Sequence, residues 1–253
     1  MNTKPIAVFD SGVGGISVLR ELVQLMPQEN YLYFGDSANA PYGGRTHEAV
    51  QRLTLDAADM LIGRGIKALV IACNTATAAA ISLLRERYPD TIIIGIEPAL
   101  KLAADRFPAG RVGIMATEVT LREEKLALQL KRFPDIQVEL IPAPGLVELI
   151  EAGKADSPEV QALLKAVLAP YAGRLDALVL GCTHYPFVRK QIAAIFGERT
   201  ALLDGSAGTA RQTLRCLEQA GLLNPGPGSI QMENSLQRPE ILQLSMDLLE
   251  DAL

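Results

Sequence analysis

Short runs of β-branched and other apolar residues, each ending in small or polar residues, recur along the chain and predict strands. In the first half the runs are IAVFDS from residue 6, YLYFGDS from 31, ALVIACNT from 68 and TIIIGIE from 91. Longer segments with apolar positions at helical spacing separate them. This alternation is typical of βα units around a parallel sheet.

The same pattern begins again in the second half, with RVGIMAT from residue 111, QVELIPAP from 137, ALVLGCTH from 177 and TALLDGS from 200. A shift of 109 residues places ALVIACNT on ALVLGCTH and Cys73 on Cys182. The first two strands of each half agree with that shift to within about three residues. The sequence therefore predicts the α/β fold class, with two pseudo-symmetric, four-stranded parallel-sheet α/β domains that face each other across a central cleft.

The remaining segments predict helices and turns around this core. The segments GTARQTLRCLEQAGLL from residue 208 and PEILQLSMDLLEDAL from 239 predict helices, and NPGPGS between them predicts a turn or linker. The charged run EVTLREEKLALQLKR from 118 has apolar residues at helical spacing and predicts a helix with a solvated face. We expect Cys216 in the core and His47 at the surface.

Polar residues end the predicted strands, where ligands bind in open α/β sheets because loops and helix N-termini gather there. Cys73 and Cys182 each follow an apolar strand and precede a polar pair, at equivalent points of the two halves. If the halves face each other about a pseudo-twofold axis, the two thiols oppose each other across one cleft. The other polar residues at strand ends are Asp10, Ser11, Asp36, Ser37, Asn74, Thr75, Thr117, Thr183 and His184.

Two opposed thiols suit the removal of a proton from one face of a carbon and its return to the other, which needs an acid and a base on opposite sides. Racemisation is a reaction of this kind. The thiolate is the working base, and a free cysteine with a pKa near 8.5 is only slightly ionised at neutral pH. His184, two residues after Cys182, and the helix N-termini can tune the thiols, and Asp10 can orient a partner or hold a substrate ammonium.

Composition narrows the range of functions. The 253-residue chain is 49% apolar and 21% charged, as in ordinary globular proteins, and is long enough to bury a sizeable core. A net charge of −5, without Trp or a run of Lys and Arg, argues against nucleic acid as a partner. Three cysteines fit neither a zinc site nor a disulfide framework, so we expect free thiols and no metal.

The chain carries no pattern that addresses it to a membrane. Its first nine residues, MNTKPIAVF, lack a signal-peptide core, and its most apolar stretch, residues 66–84, is interrupted by polar side chains. We therefore expect a cytoplasmic protein without a membrane span.

The motif FDSGVGG follows the first strand and opens a helix, which is the setting of a loop whose backbone N–H groups hold a small carboxylate. As a dinucleotide fingerprint it is a weak match: Ser17 stands where Gly or Ala is wanted, and Asp36 follows about 20 residues further on. Asp36 is either a site residue or a turn former at a strand end. Glu151, at the end of GLVELIE, is either a solvated helix residue or a cleft residue.

The chain resembles the glutamate racemase family in five ordered motifs between residues 9 and 186: FDSGVGG, GDSANAPYG, ACNTAT, GIEPAL and GCTHYP. The resemblance implies a cofactor-independent racemase that interconverts L- and D-glutamate for peptidoglycan synthesis. It implies that Cys73 and Cys182 are the acid/base catalysts, supported by Asp10 and His184. It implies that the glutamate substrate is bound by Asp10, Ser11, Tyr42, Gly43, Asn74, Thr75, Thr183 and His184. Further candidates are Asp36, Thr117 and Glu151.

The same resemblance implies a domain organisation and an oligomeric state. One domain consists of residues 1–97 and 207–253, the other of residues 98–206, and the protein is a homodimer. The chain departs from the family at Glu123 and Leu126, where a Ser and a Tyr are usual, and in lacking the usual aromatic strand near its C-terminus. These departures leave the catalytic set intact and bear on the substrate-side helix and the dimer contacts.

Three other hypotheses stay open. An aspartate racemase would use the same two thiols, although the His in GCTHYP favours glutamate, since aspartate-type relatives resemble GCTE there. A nucleotide-dependent oxidoreductase would use residues 12–15 and Asp36 and would not depend on the cysteines. A non-catalytic interaction role is neither favoured nor opposed by these residues.

Overall fold

This computed structural model describes residues 3–96, 99–122 and 124–250. Their strands form two parallel sheets. The strands are β1 (Ile6–Asp10), β2 (Asn30–Gly35), β3 (Ala68–Ile71), β4 (Ile92–Gly95), β5 (Arg111–Ala116), β6 (Gln137–Pro142), β7 (Ala177–Leu180), β8 (Ala201–Asp204) and β9 (Ser229–Asn234). The first sheet has the order β4-β3-β1-β2-β9 and the second the order β6-β5-β7-β8. With β1 to β4 matched to β5 to β8, the shared strands have the same order, so the predicted pseudo-symmetric fold is confirmed.

Helices connect the strands: α1 (Ile16–Leu25), α2 (His47–Gly63), α3 (Asn74–Arg87), α4 (Leu100–Arg106), α5 (Glu118–Arg122), α6 (Glu124–Leu130), α7 (Leu146–Glu151), α8 (Pro158–Leu168), α9 (Arg189–Phe196), α10 (Ser206–Ala220) and α11 (Pro239–Glu250). Short 3₁₀ turns lie at Tyr42–Gly44, Ala169–Tyr171 and Tyr185–Val188. The two helices predicted after residue 206 are confirmed as α10 and α11. No helix in the described ranges is long and apolar enough to span a bilayer.

Helices cover both faces of each sheet. In the first sheet, α1, α10 and α11 pack on one face, and α2 and α3 pack on the other. All five residues of β1 are buried, which explains why its apolar run is continuous and does not alternate. In the second sheet, α7, α8 and α9 cover one face, and α4 and α6 cover the other. Because every strand pairing is parallel, the carboxyl ends of the strands form one edge of each sheet.

The ninth strand corrects the sequence analysis, which predicted four strands for the first domain. β9 pairs in parallel with β2, from Asn30 opposite Ser229 to Gly35 opposite Asn234. Its sequence, SIQMEN, has only two apolar residues, Ile230 and Met232, because β9 is an edge strand with solvent beside it. The predicted turn NPGPGS ends where this strand begins.

A buried ion pair fastens the segment before β9 to the first sheet. Lys67 Nζ lies 2.5 Å from Glu29 Oε2, and both side chains are almost fully buried. Lys67 donates to the carbonyl of Leu222 at 2.8 Å, and Glu29 Oε1 accepts the N–H of Asn224 at 2.8 Å. The C-terminal elements thus pack on the first half. The domain boundaries at 97 and 207 stay a prediction, and residues 97 and 98 lie outside the described residues.

The charged segment from residue 118 forms the helices α5 and α6, which bury Thr120 and Leu126 and expose other side chains, in keeping with the predicted solvated face. One further prediction needs correction: Cys216 is only half-buried, where it accepts a hydrogen bond from Gln212. His47 is exposed, as expected. Glu123, noted above as a departure, lies outside the described residues.

Candidate active site

The carboxyl ends of the two sheets meet around one small cavity of about 20 Å³. Its size is near that of a site for a single water molecule. Ten of the residues singled out from the sequence line it: Ser11, Tyr42, Gly43, Cys73, Asn74 and Thr75 from the first half, and Thr117, Cys182, Thr183 and His184 from the second. Pro41, Val147 and Gly181 complete the lining. The other three candidates, Asp10, Asp36 and Glu151, lie behind this lining.

Cys73 stands between β3 and α3, where it is the N-cap residue of the helix. Its Sγ accepts the N–H of Ala76 at 3.4 Å and donates to Ser11 Oγ at 3.6 Å. Burial and the nearby negative charge of Asp10 raise the pKa of Cys73 to about 12. At neutral pH this side chain is therefore a thiol.

Asp10 ends β1 and joins the two halves from behind the cavity. Its Oδ1 accepts the N–H of Gly12 at 2.9 Å, and its Oδ2 accepts the hydroxyl of Thr183 at 2.9 Å. Burial raises the pKa of Asp10, although the nearby His184 and both hydrogen bonds work in the opposite direction. Asp10 thus fixes the hydroxyl of Thr183 at the cavity wall.

Cys182 follows β7 and has an imidazole as its neighbour. Cys182 Sγ lies 3.6 Å from His184 Nδ1, and His184 Nε2 lies 2.6 Å from Glu151 Oε1. Burial lowers the pKa of His184, but the contacts with Cys182 and Glu151 outweigh it and hold that pKa well above its usual value. The three side chains form a continuous polar row that ends at the thiol.

Glu151 therefore contacts a residue that lines the cavity, although it does not line the cavity itself. Its Oε1 also accepts the N–H of Val13 at 2.7 Å, and its Oε2 accepts the hydroxyl of Ser37 at 3.1 Å. Burial raises the pKa of Glu151, but these bonds and His184 together lower it below the usual value. Of the two interpretations left open by the sequence, solvated helix residue or cleft residue, the second fits this position.

The glycine-rich loop does receive a carboxylate, but the carboxylate belongs to Glu151. A Cβ on Gly12 would come within 1.8 Å of Glu151 Oε1, and one on Gly14 within 2.5 Å of His184 Nδ1. The glycines therefore let the second half approach the backbone of the first. Because these side chains fill the space against the loop, no pyrophosphate can approach Gly12 and Gly14 in this arrangement.

Three threonine hydroxyls meet across the other side of the cavity. Thr75 at the start of α3 faces Thr117 and Thr120 of the second half, with oxygen–oxygen distances between 3.0 and 3.4 Å. Gly43 packs directly on Thr117, because a Cβ there would come within 2.7 Å of the Thr117 Cβ. Sequence reasoning missed Thr120. The available signal was its position three residues after Thr117, the spacing of a helix cap.

Asp36 is connected to the cavity by its hydrogen bond with Tyr42. It accepts the hydroxyl of Tyr42 at 2.8 Å and the amide of Asn39 at 3.0 Å, and it does not line the cavity. It therefore forms the turn after β2 and holds the tyrosine that lines the cavity.

Two polar atoms near the site have no hydrogen-bond partner among the described residues: Asn74 Oδ1 and Tyr185 Oη are both buried. Asn74 lines the cavity, so its carbonyl oxygen is available to a donor on a ligand. The described ranges contain no group of three or more His, Cys, Asp or Glu side chains placed to hold a metal ion.

The model of the Asp/Glu/Hydantoin racemase family matches residues 6–213 of the chain. A glutamate racemase of Clostridium perfringens is 46% identical over 254 residues, covering 99% of this chain and 98% of that protein. The crystal structure of glutamate racemase from Thermus thermophilus in complex with β-chloro-D-alanine is 37% identical, with a TM-score of 0.83, covering 98% of this chain and 94% of that one. The crystal structure of glutamate racemase from Francisella tularensis in complex with D-glutamate is 29% identical, with a TM-score of 0.86, covering 99% and 95%.

Proposed function

The chain belongs to the glutamate racemases of the Asp/Glu/Hydantoin racemase family, and we propose that it interconverts L- and D-glutamate with Cys73 and Cys182 as opposed acid/base groups. The observation that carries the proposal is the lining of one cavity by both thiols, each following an equivalent strand of its half. One thiolate removes the proton from Cα, and the other thiol supplies a proton to the opposite face.

The two thiols must differ in protonation at the start of each turnover. Cys73, with a pKa of about 12, is suited to donate a proton in one direction. To act as a base in the other, it needs a positive charge beside it, and a substrate ammonium would supply one. For Cys182, His184 can supply the positive charge, because an imidazolium held by Glu151 can donate from Nδ1 to a thiolate.

The cavity suits a small zwitterion held by neutral groups. Neither Lys nor Arg is among its lining residues, so hydroxyl and N–H groups around the start of α3 would bind the substrate carboxylates. The unpartnered Oδ1 of Asn74 is a candidate acceptor for the ammonium. We assign substrate binding to the set that the resemblance implies, with Asp10 acting through Thr183 and Asp36 through Tyr42.

The cavity is small and lies where the two halves meet, so we propose that the halves separate to admit the substrate. Their closure would exclude water around a weakly acidic Cα–H, which favours proton transfer. We also propose, from the resemblance, that the protein is a cytoplasmic homodimer and that its D-glutamate supplies peptidoglycan synthesis.

The test is incubation with L-glutamate in D₂O without added cofactor, following optical rotation and the Cα–H NMR signal together. Loss of both signals is expected for the wild-type protein. Cys73→Ser and Cys182→Ser should each lower the rate of racemisation by at least about 1,000-fold. Cys216→Ser is the matched control and should keep the wild-type rate.

Full racemisation by either site variant would overturn the two-thiol mechanism. The same assay with aspartate tests the closest alternative, since faster racemisation of aspartate would change the substrate and leave the mechanism standing. Failure with both amino acids would overturn the proposed function.

A further inference from the structure

A second hydrogen-bonded row reaches Glu151 from the side opposite His184. Ser37 Oγ donates to Glu151 Oε2 at 3.1 Å, and Asn234 Nδ2 donates to Ser37 Oγ at 2.8 Å. Asn234 is the last residue of β9, the strand that the sequence analysis did not predict. This row therefore joins the edge of the first sheet to the residues behind Cys182.

Building on the proposed function, we propose that Ser37 and Asn234 are positioning residues that orient the Glu151 carboxylate toward His184. They act through Glu151 and do not line the cavity. Their effect on catalysis is expected on the face of the substrate that Cys182 serves.

The direction of each hydrogen bond in this row is fixed. Asn234 Oδ1 accepts the N–H of Leu236 at 3.0 Å, which leaves the NH₂ group of the amide to face Ser37. An amide NH₂ only donates, so it occupies a lone pair of the Ser37 oxygen. The single proton of the hydroxyl is then directed to Glu151. A carboxylate that accepts this bond is stabilised in its ionised form.

Packing holds the row in place. Asn234 is buried and lies opposite Gly35 in the strand pairing. A Cβ on Gly35 would come within 3.0 Å of Asn234 Nδ2 and within 2.5 Å of the Gly12 carbonyl. The absence of a side chain at Gly35 thus lets the asparagine reach the loop that carries Ser37.

Loss of the Ser37 hydrogen bond would raise the pKa of Glu151, so that its carboxylate takes up a proton at a higher pH. The acid limb of the pH–rate profile would then shift to higher pH. Other charged or titratable groups also face Glu151, and they stay unchanged in the variants below. They are His184, Asp10, Tyr33, Arg238 and Glu240.

Asn234→Asp is the sharpest variant, because it is nearly isosteric and keeps an acceptor for Leu236. An aspartate cannot donate to Ser37 and instead accepts the hydrogen bond of the Ser37 hydroxyl, so Glu151 loses its donor and gains a negative neighbour. We expect the acid limb of the kcat profile to shift to higher pH by about one unit or more. Asn30→Asp, at the other end of the same strand pair, is the matched control and should leave the profile unchanged.

Ser37→Ala should move the acid limb in the same direction by about one unit. In that background, Asn234→Asp should have a smaller further effect, because the hydrogen bond is already lost and only the added negative charge still acts on Glu151. A fall in kcat at all pH values without a shift of the limb would mean a merely structural role and would overturn the inference. Fully additive shifts in the double variant would also overturn it.

A readout that does not depend on turnover separates this inference from the proposed function. The chain has two histidines, so the imidazole NMR signals divide into His184 and the exposed His47. Asn234→Asp and Ser37→Ala should shift the His184 signals and leave those of His47 in place. Unchanged His184 signals would overturn the inference even if the wild-type protein racemises glutamate. Shifted signals in a protein that does not racemise would overturn only the proposed function.

Discussion

The two halves of the chain share a strand order, yet they surround their cysteines with different groups. Cys73 has the hydroxyl of Ser11 and the N–H of Ala76 beside it, with the negative charge of Asp10 nearby. Cys182 has the imidazole of His184, which Glu151 supports from behind. The pseudo-symmetry of the fold therefore stops at the sheets and does not extend to the side chains around the thiols.

This difference is compatible with the proposed two-thiol racemisation. Substrate and product are mirror images of equal free energy, but the two proton transfers occur on opposite faces of one carbon, in a site that is itself chiral. Each thiol needs only a way to reach both protonation states. One half can meet this need with a built-in imidazole and the other with the charge of the substrate. The comparison predicts that changes around the two thiols have unequal effects.

The largest expected difference is between the supporting residues of the two thiols. His184→Asn should lower kcat by about 100- to 1,000-fold, because Cys182 loses its proton partner. Ser11→Ala should lower kcat by no more than about tenfold, because it removes one weak hydrogen bond to Cys73. Steady-state kinetics in both directions measure this. Equal losses in the two variants would contradict the asymmetry.

A smaller effect is expected at the contact between the halves. Gly14→Ala would place a Cβ 2.5 Å from both His184 Nδ1 and Thr183 Oγ1, so those side chains must shift. We expect about a 100-fold loss of kcat/KM from that displacement. Gly44→Ala is the control, because a Cβ there has no neighbour within 4 Å, and it should retain the wild-type rate. A wild-type rate in Gly14→Ala would show that the closed contact is not required for catalysis.

The thiol of Cys73 should show its raised pKa in the free protein. In a Cys216→Ser background, alkylation of Cys73 by iodoacetamide should be slow at pH 7 and accelerate about tenfold per pH unit up to pH 10, because its pKa is about 12. Peptide mass spectrometry measures this rate. A plateau in the Cys73 rate below pH 9 would contradict this environment.

The smallest effect on racemisation is expected far from the site. Glu29→Gln leaves the buried ammonium of Lys67 without its carboxylate and should destabilise the protein by about 3–5 kcal/mol. The kcat of the folded protein at 25 °C should stay within about threefold of wild type, because the pair fastens the chain at the other end of the sheet. Chemical unfolding and kinetics measure the two quantities. Adding Lys67→Met should restore much of the stability, and failure to do so would mean that the pair is not the cause.

The regular part of the fold was accessible from the sequence because its strands carry apolar runs, and those of β1, β3 and β7 are buried along their whole length. The eight apolar runs predicted as strands, among them IAVF and ALVI, form β1 to β8. β9 was missed because only two of its six residues, Ile230 and Met232, are apolar, and only Met232 packs against the core.

The residues around the cavity also differ in how readily the sequence identifies them. Cys73, Cys182 and His184 could be found because strand ends in a parallel sheet meet at one edge, which is a local rule. Glu151 left two interpretations open, since nothing in GLVELIE distinguishes it from a solvated helix residue. Its role depends on contacts with Val13 and Ser37, more than 100 positions away. The same holds for Thr120 and Asn234, whose partners come from distant segments.

The most direct test of the asymmetry is the primary isotope effect of the His184→Asn variant with 2-deuterated L-glutamate and with 2-deuterated D-glutamate. If His184 serves Cys182 alone, proton transfer at Cys182 becomes the slow step in both directions. The isotope effect on kcat/KM should then rise for the enantiomer that Cys182 deprotonates and fall for the one that Cys73 deprotonates. An equal change for both enantiomers would mean that His184 supports the two faces alike and would contradict the account.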